Sequence, residues 1–237
     1  MSGGVAELSL QSLSLAFVPV VVVLFILWRW NVNARGALYA ILRMLLQLLL
    51  VGYFLGFVFQ SNSLLVVLGV LTVMLTMAAW IALRTTEKPS KTLFLNALLS
   101  IVVGGGAVLI LITQGVLDID PWYAPNYLIP LAGMIFANSM TAISLVVERY
   151  DAEIARDVEH HNARIIAFRA GMIPVVNGLL AVGLVSLPGM MTGQILSGVE
   201  PHIAARYQIM VMCMIFGSAG ISSAIFLYRI PSTSSHV

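Results

Sequence analysis

Val182-Gly-Leu-Val-Ser-Leu-Pro-Gly-Met-Met-Thr-Gly-Gln-Ile-Leu-Ser-Gly-Val-Glu-Pro201 is apolar enough to lie in a membrane, yet Pro188 and four glycines (Gly183, Gly189, Gly193 and Gly198) punctuate it. A plain spanning helix has no use for such interruptions. In hydrocarbon every backbone N–H and C=O must be satisfied, so broken backbone at membrane depth is tolerated only within protein or beside a wet cavity. Interrupted apolar segments are also sequence pointers to a transport site. The stretch reads as a functional break near Pro188-Gly189, with a packing kink as the plainer alternative.

The surrounding composition agrees with a membrane setting. Of 237 residues, 60% are hydrophobic and 9% charged, and the mean hydropathy is +1.00. Soluble domains carry about 25% charged residues, so the chain is expected to be an integral membrane protein. Its length is nearly used up by spans, leaving one transmembrane domain over 1–237. The net charge of +2 comes from basic residues scattered at span ends, which gives no case for nucleic acid. The single cysteine, Cys213, excludes an internal disulfide and a CxxC site. Acidic Glu7 precedes the first apolar run and Arg29 follows it, the reverse of a signal peptide. The first span is expected to be a retained anchor.

A hydrocarbon core about 30 Å thick asks for roughly 20 apolar residues per helix. Seven runs qualify: 10–28, 36–59, 64–83, 92–113, 127–147, 170–196 with the break inside it, and 207–228. Arg29, Arg35, Arg84, Lys88, Lys91, Arg149, Arg156, Arg164, Arg169 and Arg229 fall on one side, and Arg206 with Glu7, Asp118, Asp120 and Glu200 on the other. The positive-inside rule then predicts the N-terminus outside and the C-terminus in the cytosol. Seven spans do not divide into two equal inverted halves, so an inverted-repeat carrier would need two chains. Small residues at Gly52/Gly56, Gly133/Ala137 and Gly104-Gly105-Gly106 suit close helix approach.

The polar insert 148–169 holds nine of the 22 charged residues. Ile154, Val158 and Ile165 make a helical stripe, and Arg149, Glu153 and Arg156 are spaced to pair across turns. As a single helix the insert would be about 33 Å long. It reads as an amphipathic segment docking a cytosolic partner through Arg149, Glu153, Arg156, Asp157 and Arg164, or as a solvated hairpin.

No G-x-x-x-x-G-K-[ST] loop is present, so this chain has no means of hydrolysing a nucleotide. It carries no H-E-x-x-H pair or G-x-S-x-G elbow either, and neither a catalytic residue nor a bound cofactor is expected. Lys88 and Lys91 lie in a connector, which removes a retinal Schiff base. Within the spans, Arg43 is costly unless it snorkels or finds a partner, and Gln47 lies one turn further on the same face. Arg43, Gln47 and Asn138 are candidate pathway residues beside Pro188, Gly189, Met190, Met191, Gly193 and Gln194. Structural hydrogen bonding is the other reading of the polar ones. Glu200 and His202, outside the break, make a sparse hard-ligand set with Asp118 and Asp120; the methionines would suit Cu(I) better than iron.

Ile129-Pro-Leu-Ala-Gly-Met-Ile-Phe-Ala-Asn-Ser-Met140, Val182-Gly-Leu-Val-Ser-Leu-Pro-Gly-Met-Met-Thr-Gly193 and Arg206-Tyr-Gln-Ile-Met-Val211 resemble signature stretches of FetB-like iron-export ABC permeases. Arg43-x-x-x-Gln47-Leu followed by Gly52-Tyr53 is similar to their second span. Plant aluminium-tolerance permeases resemble the same family. The resemblance implies a permease subunit in the bacterial inner membrane, paired as a homodimer with a separate cytosolic ABC ATPase that uses the ATP. The export of a metal ion such as iron is implied with it. The insert lacks the L-G-A-T-like stretch usual in such permeases. A stand-alone ion-coupled carrier or channel is the alternative, and it lacks a clear mid-span carboxylate.

Overall fold

The computed structural model describes residues 9–61, 63–86 and 89–230. Glu7 and Lys88, two charges behind the expected orientation, lie outside the described residues. Seven helical segments are long and apolar enough to cross a bilayer: Ser12–Arg29, Ala34–Gln60, Leu64–Ala82, Lys91–Val116, Pro125–Ile154, His160–Ala181 and Pro201–Arg229. Among the described residues the only β-structure is an isolated bridge between Val182 and Ser186. The chain is an all-α, multi-pass membrane protein. It divides into two compact units, Met1–Ser61 and Asn62–Val237.

In the first unit, α1 (Leu10–Leu15) and α2 (Val18–Arg29) share a span interrupted at Ala16 and Phe17, and α3 (Ala34–Gln60) forms the next. Pro19 restarts the helix within the first turn of α2, where a missing N–H breaks no helical bond. Asn31 ends α2 in the left-handed region at φ 56. Its N–H reaches Trp28 O at 3.2 Å and the Val32 N–H reaches Leu27 O at 2.9 Å, the paired closure of a Schellman motif. Asn33 then caps α3 by accepting the Gly36 N–H at 2.8 Å. Among the described residues a Cβ on Gly52 or Gly56 would meet nothing within 4 Å, so their small-residue spacing makes no close helix contact within this unit.

The second unit begins with α4 (Leu64–Ala82). The fourth span is composite: α5 (Lys91–Ser100), a π-helical turn at Ile101–Gly105, α6 (Gly106–Ile110) and a second π-helical turn at Leu111–Val116. Then come α7 (Pro125–Ile154), α8 (His160–Ala181), α9 (Gly189–Leu196) and α10 (Pro201–Arg229). α7 is the central element, packed against α4, α8 and α10. It supplies Ile135, Ile143, Val146 and Val147 to a core that also takes Ile101, Met214 and Phe226.

Two glycines set how closely these helices approach. A Cβ on Gly171 of α8 would strike Val146 Cγ2 and sit 3.0 Å from Ala142 O of α7. One on Gly104 would lie 2.7 Å from the Ser222 N of α10. Just beside that contact, the Ser222 hydroxyl donates to Ser139 Oγ at 3.3 Å.

Two boundaries differ from the sequence reading. The insert 148–169 is not one helix: α7 runs on to Ile154 and α8 begins at His160. Asp157, at φ 60, closes α7 with its N–H on Ile154 O at 3.0 Å and the Val158 N–H on Glu153 O at 3.2 Å. Six of the insert's nine charges therefore sit on the extended ends of two spans and Arg156, Asp157 and Glu159 in the turn between them, and Val158 leaves the stripe expected with Ile154 and Ile165. The sixth span accordingly starts ten residues before the expected 170, at His160, and ends at Ala181 rather than 196. The chain does break ahead of Pro188-Gly189, but the break follows a full-length helix and precedes a short one.

Candidate functional site

The break is built on one carbonyl. The N–H groups of Leu184, Val185 and Ser186 all converge on Ala181 O, at 3.2, 2.8 and 3.1 Å. Gly183 makes this possible: at φ +82 it occupies a conformation that a side chain disfavours, and its N–H returns to Ser186 O at 2.9 Å. The tight turn throws Leu184 and Val185 outward, 91% and 84% exposed. Pro188, extended at φ −62 and ψ 145, then starts α9 without a side-chain cap. Thr192 ties the new helix back, its N–H and hydroxyl both donating to Pro188 O at 3.0 and 3.2 Å.

α9 ends by the same closure as α2 and α7. Gly198 at φ +92 puts its N–H on Ile195 O at 3.0 Å, with Val199 N–H on Gln194 O at 3.0 Å. α9 packs along α10. Met190, Met191 and Gln194 are half-buried while Gly189 and Gly193 are exposed. The Gln194 Oε1 is buried without a hydrogen-bond partner, so this short helix keeps an acceptor open inside the protein.

The other pathway candidates are dispersed. Asn138, half-buried on α7, donates to Met134 O at 2.8 Å, a bond within its own helix. On α3, with the Gln47 amide turned oxygen-first, its Oε1 accepts from Arg43 Nε at 3.0 Å and Nη2 at 3.3 Å. The spacing noted in the sequence thus becomes a direct contact that shares the Arg43 charge.

At the turn between α7 and α8 the charges gather around Glu153, only 4% exposed. Arg149 pairs with it across one helical turn and Arg156 lies 3.5 Å away. Arg156 and Asp157 are exposed beside this pair. Arg164 faces elsewhere: its Nη2 donates to Ile230 O at the end of α10, at 2.9 Å. His160 shares a hydrogen bond through Nδ1 with the Tyr150 hydroxyl at 2.8 Å. Asn96 of α5 lies at the same end of the bundle as Arg229. That amide, inside an apolar span and suited to bonding a neighbouring helix, is 5% exposed, donates to Phe226 O at 3.0 Å and accepts from Arg229 Nε at 3.1 Å.

Glu200 and His202 meet, with Oε2 and Nδ1 3.3 Å apart on exposed side chains at the start of α10. Among the described residues no three His, Cys, Asp or Glu side chains form a group able to hold a metal ion. Asp118 and Asp120 therefore do not complete a set with this pair.

The chain matches the model of the uncharacterised protein family UPF0014 over residues 10–166 and 156–233. It is 42% identical over 192 residues to the UPF0014 membrane protein slr1647 of Synechocystis, covering 73% of each chain. Identity is 31% over 235 residues to an Escherichia coli protein named "Probable iron export permease protein FetB", covering 92% of this chain and 89% of that one. The Arabidopsis thaliana protein ALUMINUM SENSITIVE 3 is 30% identical over 230 residues, covering 90% of this chain and 82% of that one. No solved structure matches the chain. A family model that spans nearly every described residue, together with seven bilayer-length helices, makes this chain a member of the UPF0014 family of membrane proteins.

Proposed function

We propose that this chain is a membrane permease, the transmembrane subunit of an ABC-type exporter whose cargo is a metal ion such as iron. A separate cytosolic ATPase would supply the energy, and two copies of the chain would form the pathway in a bacterial inner membrane. The observation that carries the reading is the break at 182–188, in which Gly183 and Pro188 interrupt an apolar chain beside α10. Broken backbone of this kind lines sites in membrane carriers. The relative named as an iron export permease supports both the permease class and the cargo. Pro188, Gly189, Met190, Met191, Gly193 and Gln194 are the gate in this reading, with Arg43, Gln47 and Asn138 supporting the pathway. Arg149, Glu153, Arg156 and Asp157 offer the partner a charged turn. Glu200 and His202 stand where cargo leaves, as a transient two-ligand contact.

A stand-alone carrier is the second reading, favoured by one observation. The connection between α7 and α8 is short, with the carboxylate of Glu153 turned inward, which leaves a small docking surface. Coexpression with the P-loop ATPase encoded nearest to this gene separates the two. An ABC permease copurifies with it and exports Fe(II) from proteoliposomes only with ATP; transport without the ATPase would establish the carrier.

A further inference from the structure

The foot of α10 is capped by other helices. A helix leaves its last carbonyls without intrahelical donors, and here that of Ile230 is met from distant sequence, while Phe226 O, which takes the Ile230 N–H at 3.2 Å, receives a second donor. Arg164, on the second turn of α8, donates from Nη2 to Ile230 O at 2.9 Å. Asn96 of α5 donates to Phe226 O at 3.0 Å, and Arg229 Nε returns to Asn96 Oδ1 at 3.1 Å. A guanidinium at a helix C-terminus also meets the negative end of the helix dipole.

Arg164 stands four residues after His160, the first residue of α8, whose ring is tied to Tyr150 of α7 at 2.8 Å. Immediately before His160 comes the exposed turn 155–159, with Arg156 and Asp157. An unbroken series of contacts thus runs from that turn, through the first turns of α8, to the foot of α10. At its other end α10 packs against α9, just past the break. α8 itself carries Pro174, whereas α10 has no proline after its first residue. Of the two, α10 is the stiffer connection to the break.

We infer that Arg164 is a positioning residue that couples the α7–α8 turn to α10, and through α10 to α9 and the break, rather than a contact for a partner. The inference rests on the ABC permease reading. Its second support is the Arg164 Nε, which is buried and has no hydrogen-bond partner. A buried donor left unmade is costly, so a shift of this guanidinium that satisfied Nε would offset the loss of the Ile230 bond. A second arrangement, with Nε satisfied and Ile230 released, gives the foot of α10 two positions for an ATPase to choose between.

The test uses the full chain coexpressed with its ATPase, Cys213→Ser, and a single reporter cysteine, Ser186→Cys, in the break. The reporter is labelled with a membrane-impermeant maleimide, with and without ATP and vanadate. In the wild-type background the trapped nucleotide should change the labelling rate several-fold. Arg164→Gln should keep insertion and ATPase copurification yet bring that ratio to about one, and Arg164→Lys should restore part of it. A merely stabilising residue would leave the ratio alone. An unchanged ratio in Arg164→Gln, or loss of the ATPase from the complex, overturns the coupling role. Should Arg164→Gln fail to insert, Arg229→Gln, which frees Asn96 Oδ1 at the same foot, must lower the ratio or the inference falls. A wild-type chain that neither copurifies with the ATPase nor responds to nucleotide sinks the permease reading itself, and this inference with it.

Discussion

Tyr150 and His160 close the turn between α7 and α8 from opposite sides, hydroxyl to Nδ1 at 2.8 Å, with their rings 6.3 Å apart. Ten residues of chain separate them, and this bond fixes where α8 departs. Tyr150→Phe keeps the ring and deletes the bond. It should cost about 0.5–1.5 kcal/mol and raise hydrogen exchange through 155–159 while leaving the rest of α7 protected. Equal protection in both proteins would show that the turn is set by Asp157 alone.

Glu153 balances two guanidiniums from a nearly buried position. Glu153→Gln leaves both guanidiniums within reach of water, at 40% and 66% exposure, so it should destabilise the protein by only about 1 kcal/mol, read as a slightly lower unfolding temperature in detergent. Arg149→Gln added to it should cost less than the two single changes summed, because the pair acts as a unit. Strict additivity would mean that the ion pair contributes nothing.

Gly183, rather than Pro188 or Gly189, holds the break. Alanine at 183 must enter the left-handed region, a penalty of about 1–2 kcal/mol, although nothing within 4 Å would meet its Cβ. Gly189 is equally open and has no positive φ, so Gly189→Ala should leave the fold of the break intact. We expect Gly183→Ala to reduce export while Pro188→Ala with Gly189→Ala retains the turn. Wild-type export in a well-inserted Gly183→Ala protein would reduce the break to scaffolding.

Gly171→Ala should be damaging, since its Cβ would meet both Val146 and the Ala142 carbonyl. Overpacking of this kind costs about 1–3 kcal/mol. Val146→Ala should rescue part of the loss by making room. If the double variant is no better than Gly171→Ala, the backbone carbonyl is the harder wall.

Orientation is checked with single cysteines. Those placed at Ser61 and Asp120 should label from outside intact cells, and one at Asp157 only after the inner face is opened. Labelling of Asp157 from outside would invert the topology.

The seven spans were legible because about 20 consecutive apolar residues have few other uses. The limits of the sixth were not. Charges over 148–169 read as a connector, yet a helix ends where its backbone turns, and Asp157 turns it at φ 60. Asn31, Asp157 and Gly198 share one closure, but only the glycine announces it, since Asn and Asp occupy the left-handed region by context. Spacing alone was equally ambiguous: Gly104 and Gly171 meet neighbours, while Gly52 and Gly56, the better match to a packing motif, meet none. For the candidate site, Pro188 marked the right neighbourhood and Gly183 was one glycine among four. Arg164 could not be assigned from sequence, because its acceptor is a carbonyl 66 positions away.

Helices of unequal length stand side by side in the second unit. α7 and α10, with 30 and 29 residues, are about 45 and 44 Å long, whereas α8, with 22, is about 33 Å. Against roughly 30 Å of hydrocarbon, the long pair has length to tilt or protrude and α8 has little to give. The contact at Gly171 keeps α7 and α8 from sliding past one another. A membrane of longer acyl chains therefore bears, before α7 or α10, on the end of α8, where the chain leaves its helix at Ala181. The thickness of the surrounding lipid becomes an input to the break, and the protein should work fastest in a bilayer matched to the length of α8.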